Sequence, residues 1–154
     1  MNLTTRFPTE ADQRTICAWR YDGDYAIYNL PPYEEMKRRE TGFFRPGKER
    51  NYRAFLEGDT LIGFVNLSEE ASGVFIGIGV NPTLCGQHYG RRILEEAYRI
   101  SKSLYPEKPL YLEVRTWNTR AVTCYKRAGF RIDGGPFPKT TGIGEGTFYR
   151  MVRE

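Results

Sequence analysis

Apolar and polar positions follow different periods along the chain, and each change of period marks a candidate element. Residues 3–8 fit an opening strand. Thr9-Glu10-Ala11-Asp12 then has the form of a capping box, with Thr9 closing the helix start and Asp12 answering three residues later, and a helix follows to about Arg20. Residues 21–46 hold no clear period. Asp22-Gly23-Asp24, Pro31-Pro32 and Arg45-Pro46-Gly47 punctuate them and leave one short helix over residues 33–39. From Asn51 the pattern becomes that of strands: residues 52–56 and 60–67 flank the turn Glu57-Gly58-Asp59 and predict a β-hairpin. A second turn over 68–73 leads to Val74-Phe75-Ile76-Gly77-Ile78-Gly79-Val80, so continuously apolar that both faces of the strand should be covered.

The most informative stretch is Val80-Asn81-Pro82-Thr83-Leu84-Cys85-Gly86-Gln87-His88-Tyr89-Gly90-Arg91-Arg92-Ile93-Leu94, which reads as a strand end, a glycine-bearing turn and a helix start. A helix N-terminus offers unpaired N–H groups and the positive end of the dipole, and glycines beside it let a phosphate approach the main chain. Ile93, Leu94, Ala97, Tyr98, Ser101 and Leu104 recur at helical spacing, so this helix runs to about Leu104 before Pro106 stops it. Residues 110–116 read as a strand. Asn118-Thr119-Arg120-Ala121-Val122-Thr123-Cys124-Tyr125-Lys126-Arg127-Ala128-Gly129-Phe130 follows as a second helix, with an asparagine start and a glycine stop. Phe130-Arg131-Ile132 resumes extended structure, and residues 147–152 offer a final strand after a loop rich in proline and glycine.

With these two segments and this order of elements, the chain resembles the GCN5-related N-acetyltransferase (GNAT) superfamily. The resemblance implies an α/β (α+β) fold in one domain over residues 1–154: a central, mostly antiparallel mixed sheet of about seven strands flanked by about four helices on both faces. In that family the loop after the fourth strand reads Arg or Gln, two variable residues, Gly, one variable residue, then Gly or Ala, and its amides hold the pyrophosphate of acetyl-CoA. Here those positions are Cys85, His88 and Gly90, and Gly86 matches another frequent family glycine. The implied cofactor-binding residues are Ile78, Val80, Cys85, Gly86, Gln87, His88, Tyr89, Gly90, Arg91, Asn118 and Tyr125. Main-chain donors would carry the binding, and Arg91 and Arg92 could add charge-assisted bonds that Cys85 cannot.

Residues 76–80 should lend backbone groups to the pantetheine arm in the manner of an added strand. Gly77 and Gly79 predict a bulge or a close backbone approach, and a bulge would aim the Val80 N–H at the thioester oxygen. Tyr125 lies two helical turns after Asn118 on about the same face. A tyrosine there commonly protonates the leaving thiolate in the family, although Ala121, Val122, Tyr125 and Ala128 also make a plain apolar stripe. Charged histidine would favour the pyrophosphate, so acetyl-CoA should bind more tightly toward pH 6 through His88, unless His88 simply faces solvent.

The expected activity is transfer of acetyl from acetyl-CoA directly to a primary amine of a small molecule or peptide, with Tyr125 as general acid. The rival is a non-catalytic GNAT-like module that binds acyl-CoA as a sensor or docks a partner. A covalent route through Cys85 or Cys124 lacks a second histidine or visible base. Glu69, Glu70 and Glu113 lie near the central strands, but none is singled out as a base. In the family arrangement the acceptor sits under residues 21–46 and 136–146, where Asp22, Asp24, Tyr25, Tyr28, Tyr33, Glu34 and Glu35 could hold a cationic amine. Gly142, Gly144 and Gly146 fit a hairpin rather than a nucleotide loop.

Composition narrows the rest. The 154 residues are 40% hydrophobic, yet no apolar stretch approaches the roughly 20 residues of a membrane span. Three widely spaced cysteines, Cys17, Cys85 and Cys124, suit neither a disulfide framework nor a metal clip, and with one histidine no metal is expected. The net charge of +4 is scattered among acidic residues without a nucleic-acid motif, so no nucleic-acid partner is expected. Residues 1–6 lack the apolar core of a signal peptide, which makes cytoplasm the expected location. A homodimer stays open.

Overall fold

The computed structural model describes residues 2–154. In chain order the elements are β1 (Thr4–Arg6), α1 (Glu10–Ala18), α2 (Tyr33–Arg39), β2 (Tyr52–Glu57), β3 (Thr60–Glu69), β4 (Val74–Val80), α3 (Tyr89–Leu104), β5 (Leu110–Arg115), α4 (Thr119–Arg127), β6 (Arg131–Ile132), β7 (Phe137–Thr141) and β8 (Gly144–Arg153). Short 3₁₀ turns occupy Gly23–Tyr28, Gly42–Phe44, Glu49–Asn51 and Pro82–Leu84. The chain divides into two compact units: residues up to Asn66 with Ile78–Tyr89, and Leu67–Gly77 with Gly90–Glu154.

In the first unit β1, β2 and β3 pair antiparallel in that order, and Glu57↔Thr60 closes the predicted hairpin. The capping box of α1 is complete: Thr9 Oγ1 accepts from Asp12 N–H at 3.1 Å and Asp12 Oδ2 accepts from Thr9 N–H at 3.0 Å. Asp12 also takes two 2.9 Å bonds from the Arg6 guanidinium, which ties β1 to α1. The core gathers Ile16, Cys17, Tyr33, Met36, Phe43 and Tyr52, with Trp19, Leu30, Phe44, Leu61 and Phe64 packed against it. Residues 21–46 therefore supply core despite showing no period, because 3₁₀ turns of three to six residues are too short to display one. Gly42 is required twice over: its φ is +54°, and a Cβ would meet Met36 Sδ at 2.8 Å.

In the second unit β4 meets β5 in a parallel ladder, Val74↔Leu110 and Phe75↔Tyr111, and β5 pairs antiparallel with β8 over its whole length. Two short strands share β8, β7 on its N-terminal half and β6 on its C-terminal half. The core here includes Val74, Ile76, Ile93, Leu94, Ala97, Leu110, Leu112, Val114, Phe130 and Met151. Ile93, Leu94, Ala97 and Ser101 are buried as the helical spacing predicts, whereas Leu104, the last of that stripe, is 49% exposed.

Eight strands are present among the described residues, and every pairing given is antiparallel except β4 with β5, so the expected mixed, mostly antiparallel sheet is found. β7 is the strand that the sequence hides. Pro138 interrupts it and three consecutive exposed residues erase any alternation, so its sequence reads as loop.

Candidate active site

The end of β4 is pinned through a single peptide. Asn81 N–H donates to Ile62 C=O at 2.7 Å, and the carbonyl of the same peptide, on Val80, accepts from the Tyr21 hydroxyl at 2.6 Å. Asn81 Nδ2 donates to Leu61 C=O at 3.1 Å, while its Oδ1 accepts from Thr83 N–H and Oγ1 at 3.0 and 2.8 Å, closing the Pro82–Leu84 turn. Gly79 meets the expectation of a close approach, here of the Phe64 ring. Ile78 and Val80 are half-buried.

Beyond the turn, Gly86 and His88 both adopt left-handed backbone, φ +83° and +66°. His88 thus adopts a conformation usual for glycine, one that histidine tolerates better than most residues. Gly86, Gln87 and His88 are exposed, Cys85 is half-buried with its thiol 3.7 Å from the Asn81 carbonyl, and Tyr89 opens α3 with its hydroxyl donating to Glu57 Oε1 at 2.8 Å. The N–H groups of the first turn of α3, from Tyr89 through Gly90 and Arg91 to Arg92, lack intrahelical acceptors by construction. The turn is open at Gly86, with nothing within 4 Å of where a Cβ there would stand, room that the close approach of a pyrophosphate to the main chain would need.

In the second unit Asn118 is 6% exposed and caps α4, its Oδ1 accepting from Ala121 N–H at 3.2 Å. At the other end Gly129, φ +93°, completes a Schellman motif: Gly129 N–H bonds Lys126 C=O and Phe130 N–H bonds Tyr125 C=O, both at 3.0 Å. The Tyr125 ring packs against Phe130 with centroids 6.3 Å apart. The predicted asparagine start and glycine stop are both present, and half-buried Tyr125 lies in the last turn before that stop. Its neighbour Cys124 is a poor nucleophile, since burial pushes its thiol up, against the smaller opposing pull of Arg127 and Arg91.

The acidic residues are largely engaged. Glu69 pairs with Lys108 at 2.9 Å, Glu113 accepts from Lys139, and Glu70 accepts from the Tyr111 hydroxyl at 2.6 Å. Burial first and Glu70 second push the Tyr111 phenol up to about 12. Of the residues expected to hold a cationic amine, Tyr33 is buried under the Arg14 guanidinium, Glu34 pairs with Arg14, and Glu35 pairs with Arg38 and Arg39. Asp22 and Asp24 remain exposed on the 3₁₀ turn beside Tyr25 and Tyr28. Gly142 lies in the β7–β8 hairpin turn, Gly144 begins β8 with φ +113°, and Gly146 makes room for Arg115, whose Nη1 would lie 2.2 Å from a Cβ there. Sequence reasoning missed Tyr21 and its partner Asn29; only their place in an aperiodic loop next to a short turn could have drawn attention to them. No group of three or more His, Cys, Asp or Glu residues suited to a metal occurs among the described residues, and no described helix is long and apolar enough to cross a membrane.

The architecture is the α/β GNAT fold. A family model described as the Acetyltransferase (GNAT) family matches residues 13–130, and the chain belongs to that family. It is 28% identical over 110 residues to an N-alpha-acetyltransferase of Sulfurisphaera tokodaii, a match spanning 67% of this chain and 66%, just under two thirds, of the relative. Among solved structures it resembles a spermidine N-acetyltransferase SpeG K23-Q34 chimera from Vibrio cholerae and hSSAT, at TM-score 0.76, 21% identity and coverage of 99% and 95%. A GNAT-family acetyltransferase from Bacillus anthracis gives TM-score 0.78 at 14% identity, with coverage of 99% and 94%.

Proposed function

We propose that the chain is an acetyl-CoA-dependent N-acetyltransferase that passes acetyl directly to a primary amine. The observation that carries the reading is the exposed left-handed turn at Gly86 and His88 just before α3, a backbone form that lets a pyrophosphate approach the main chain. Gly86, Gln87, His88, Tyr89 and Gly90 would present main-chain donors to the pyrophosphate, with Cys85 lining the turn and Arg91 adding charge. Ile78 and Val80 would hold the pantetheine arm through their backbone, and Asn118 shapes the start of the helix that carries Tyr125. Bound acetyl-CoA supplies an activated acyl group and a thiol leaving group.

In the transfer, the amine nitrogen forms the new C–N bond as the C–S bond breaks, the Val80 N–H stabilises charge on the carbonyl oxygen, and Tyr125 gives its proton to the departing sulfur. Only about one lysine-type amine in a thousand is neutral at pH 7, so the amine proton must leave through water or a base. Asp22, Asp24, Tyr25 and Tyr28 would attract the acceptor as a cation. The relatives' names suggest the amines to try: spermidine and peptides with free N-termini. Release of free thiol from acetyl-CoA with any of these amines supports the enzyme; tight CoA binding without release across the panel would replace it with a non-catalytic acyl-CoA-binding module.

A further inference from the structure

We propose that Tyr21 is a positioning residue for acetyl transfer, holding the Val80 peptide and the Asp22–Tyr28 turn in one fixed relation. The inference rests on the reading that the end of β4 receives the thioester.

The N–H and C=O of one strand residue leave by the same edge. Asn81 N–H points to β3, where Ile62 C=O accepts it, so the Val80 carbonyl, on the opposite side of that peptide, points away from β3. The Tyr21 hydroxyl reaches this outer edge and donates to the carbonyl at 2.6 Å. Val80 N–H, the group assigned to the carbonyl oxygen of the substrate, leaves by that same edge. Tyr21 therefore sets the tilt of the strand end just where a donor must be aimed, and a small rotation of this peptide would misalign it.

The same tyrosine anchors the turn beside it. Asn29 Oδ1 accepts from Tyr21 N–H at 2.6 Å, and Asn29 Nδ2 donates to Tyr21 C=O at 3.5 Å. One side chain thus clasps both main-chain groups of Tyr21 across eight residues and closes the loop that carries Asp22 and Asp24. Charge at those two positions is in this way tied, through the Tyr21 ring, to the Val80 carbonyl. Burial, with the neighbouring Cys85 thiol, raises the Tyr21 phenol well above its ordinary range. Its hydroxyl stays protonated, serving as a donor to Val80 and not as a base for the amine.

The test compares wild type, Tyr21→Phe and Asn29→Ala for thiol release with the best amine of the panel, alongside CoA affinity by titration calorimetry and the thermal midpoint. Tyr21→Phe keeps the ring and removes the bond. It should lower kcat about tenfold, with CoA affinity changed less than about twofold. Asn29→Ala frees the turn and should raise the amine KM severalfold while kcat falls less. Unchanged kcat in Tyr21→Phe, or a loss matched by an equal loss of CoA affinity and a collapsed midpoint, overturns the positioning role and leaves the enzyme reading standing. A wild type that binds CoA but releases no thiol with any amine overturns both.

Discussion

Gly79 and Phe64 occupy one space: a Cβ at Gly79 would lie 2.3 Å from Phe64 Cε1 and 2.9 Å from Cζ. The ring cannot swing aside freely, because it is set among Phe43, Trp19 and Tyr52 at centroid distances of 5.9, 6.4 and 6.5 Å. The glycine in this apolar strand thus answers to the aromatic core beneath it, and β4 is held at a height that Phe64 dictates.

Gly79→Ala should cost about 1–3 kcal/mol by overpacking. Trimming the opposing ring tests the cause. In urea titrations Phe64→Leu alone should be destabilising, but the double variant should be more stable than the sum of the two single losses, with a coupling of about 1 kcal/mol or more. Simple additivity would mean that Gly79 is there for another reason.

Asp12 provides a pH signature. Burial alone would raise its carboxyl, but the Arg6 guanidinium and the Thr9 hydrogen bonds outweigh that and hold it below its ordinary value. A group lowered in the folded state stabilises fully above its unfolded pKa, near ~3.9, and loses that contribution as pH falls through the folded value. Arg6 is half-exposed, which weakens the ion pair, and an asparagine Oδ1 can still accept from Thr9 N–H, so Asp12→Asn should cost about 1 kcal/mol at pH 7, the difference between a charged and a neutral acceptor. The gap between wild type and variant, read by denaturation at several pH values, should narrow below about pH 4. A gap that stays constant down to pH 2 would count against this linkage.

His88 separates backbone cost from side-chain chemistry because it is exposed and left-handed. A β-branched residue is far worse at positive φ, so His88→Val should lose about 1–2 kcal/mol. His88→Gly relieves strain but frees the unfolded chain by about 0.4–1 kcal/mol, so its thermal midpoint should stay near that of wild type. If both variants melt alike, the +66° turn is not what the loop requires.

How much of this could be read from the letters depends on the length of each element. α3 is 16 residues long and shows its stripe, and α4 carries both of its stops, Asn118 and Gly129, in sequence. The β2–β3 hairpin is legible from its turn, Glu57-Gly58-Asp59, although Ala54, Phe55 and Leu56 are buried in succession and leave β2 without alternation. The acceptor side was opaque for the opposite reason: Tyr33, Glu34 and Glu35 looked like a cation site, yet Tyr33 and Glu34 are taken by Arg14 from another helix, which no local pattern couples to them, while Glu35 pairs with Arg38 and Arg39 of its own helix. Tyr21 was invisible because its partner Val80 lies 59 residues away. At His88 the letter hides the backbone, because a histidine does not announce the positive φ that the chain adopts there.

Tyr125→Phe tests the proposed acid. The Tyr125 main-chain carbonyl belongs to the Schellman bond with Phe130, and its ring packs on that same residue. A phenylalanine keeps both, so stability should change by less than about 0.5 kcal/mol. Removing the hydroxyl takes away the proposed acid, and general acid catalysis is worth about 10²–10⁴-fold, so kcat should fall at least a hundredfold while CoA affinity holds. A leaving group that needs no proton supplies the control. With an acetyl thioester of a more acidic thiol, the variant should recover most of the lost rate, because the departing sulfur is then stable as an anion at working pH. Full turnover of Tyr125→Phe with acetyl-CoA would reduce Tyr125 to a packing residue at the end of α4, and an equal loss with both donors would place its role in binding rather than in proton transfer.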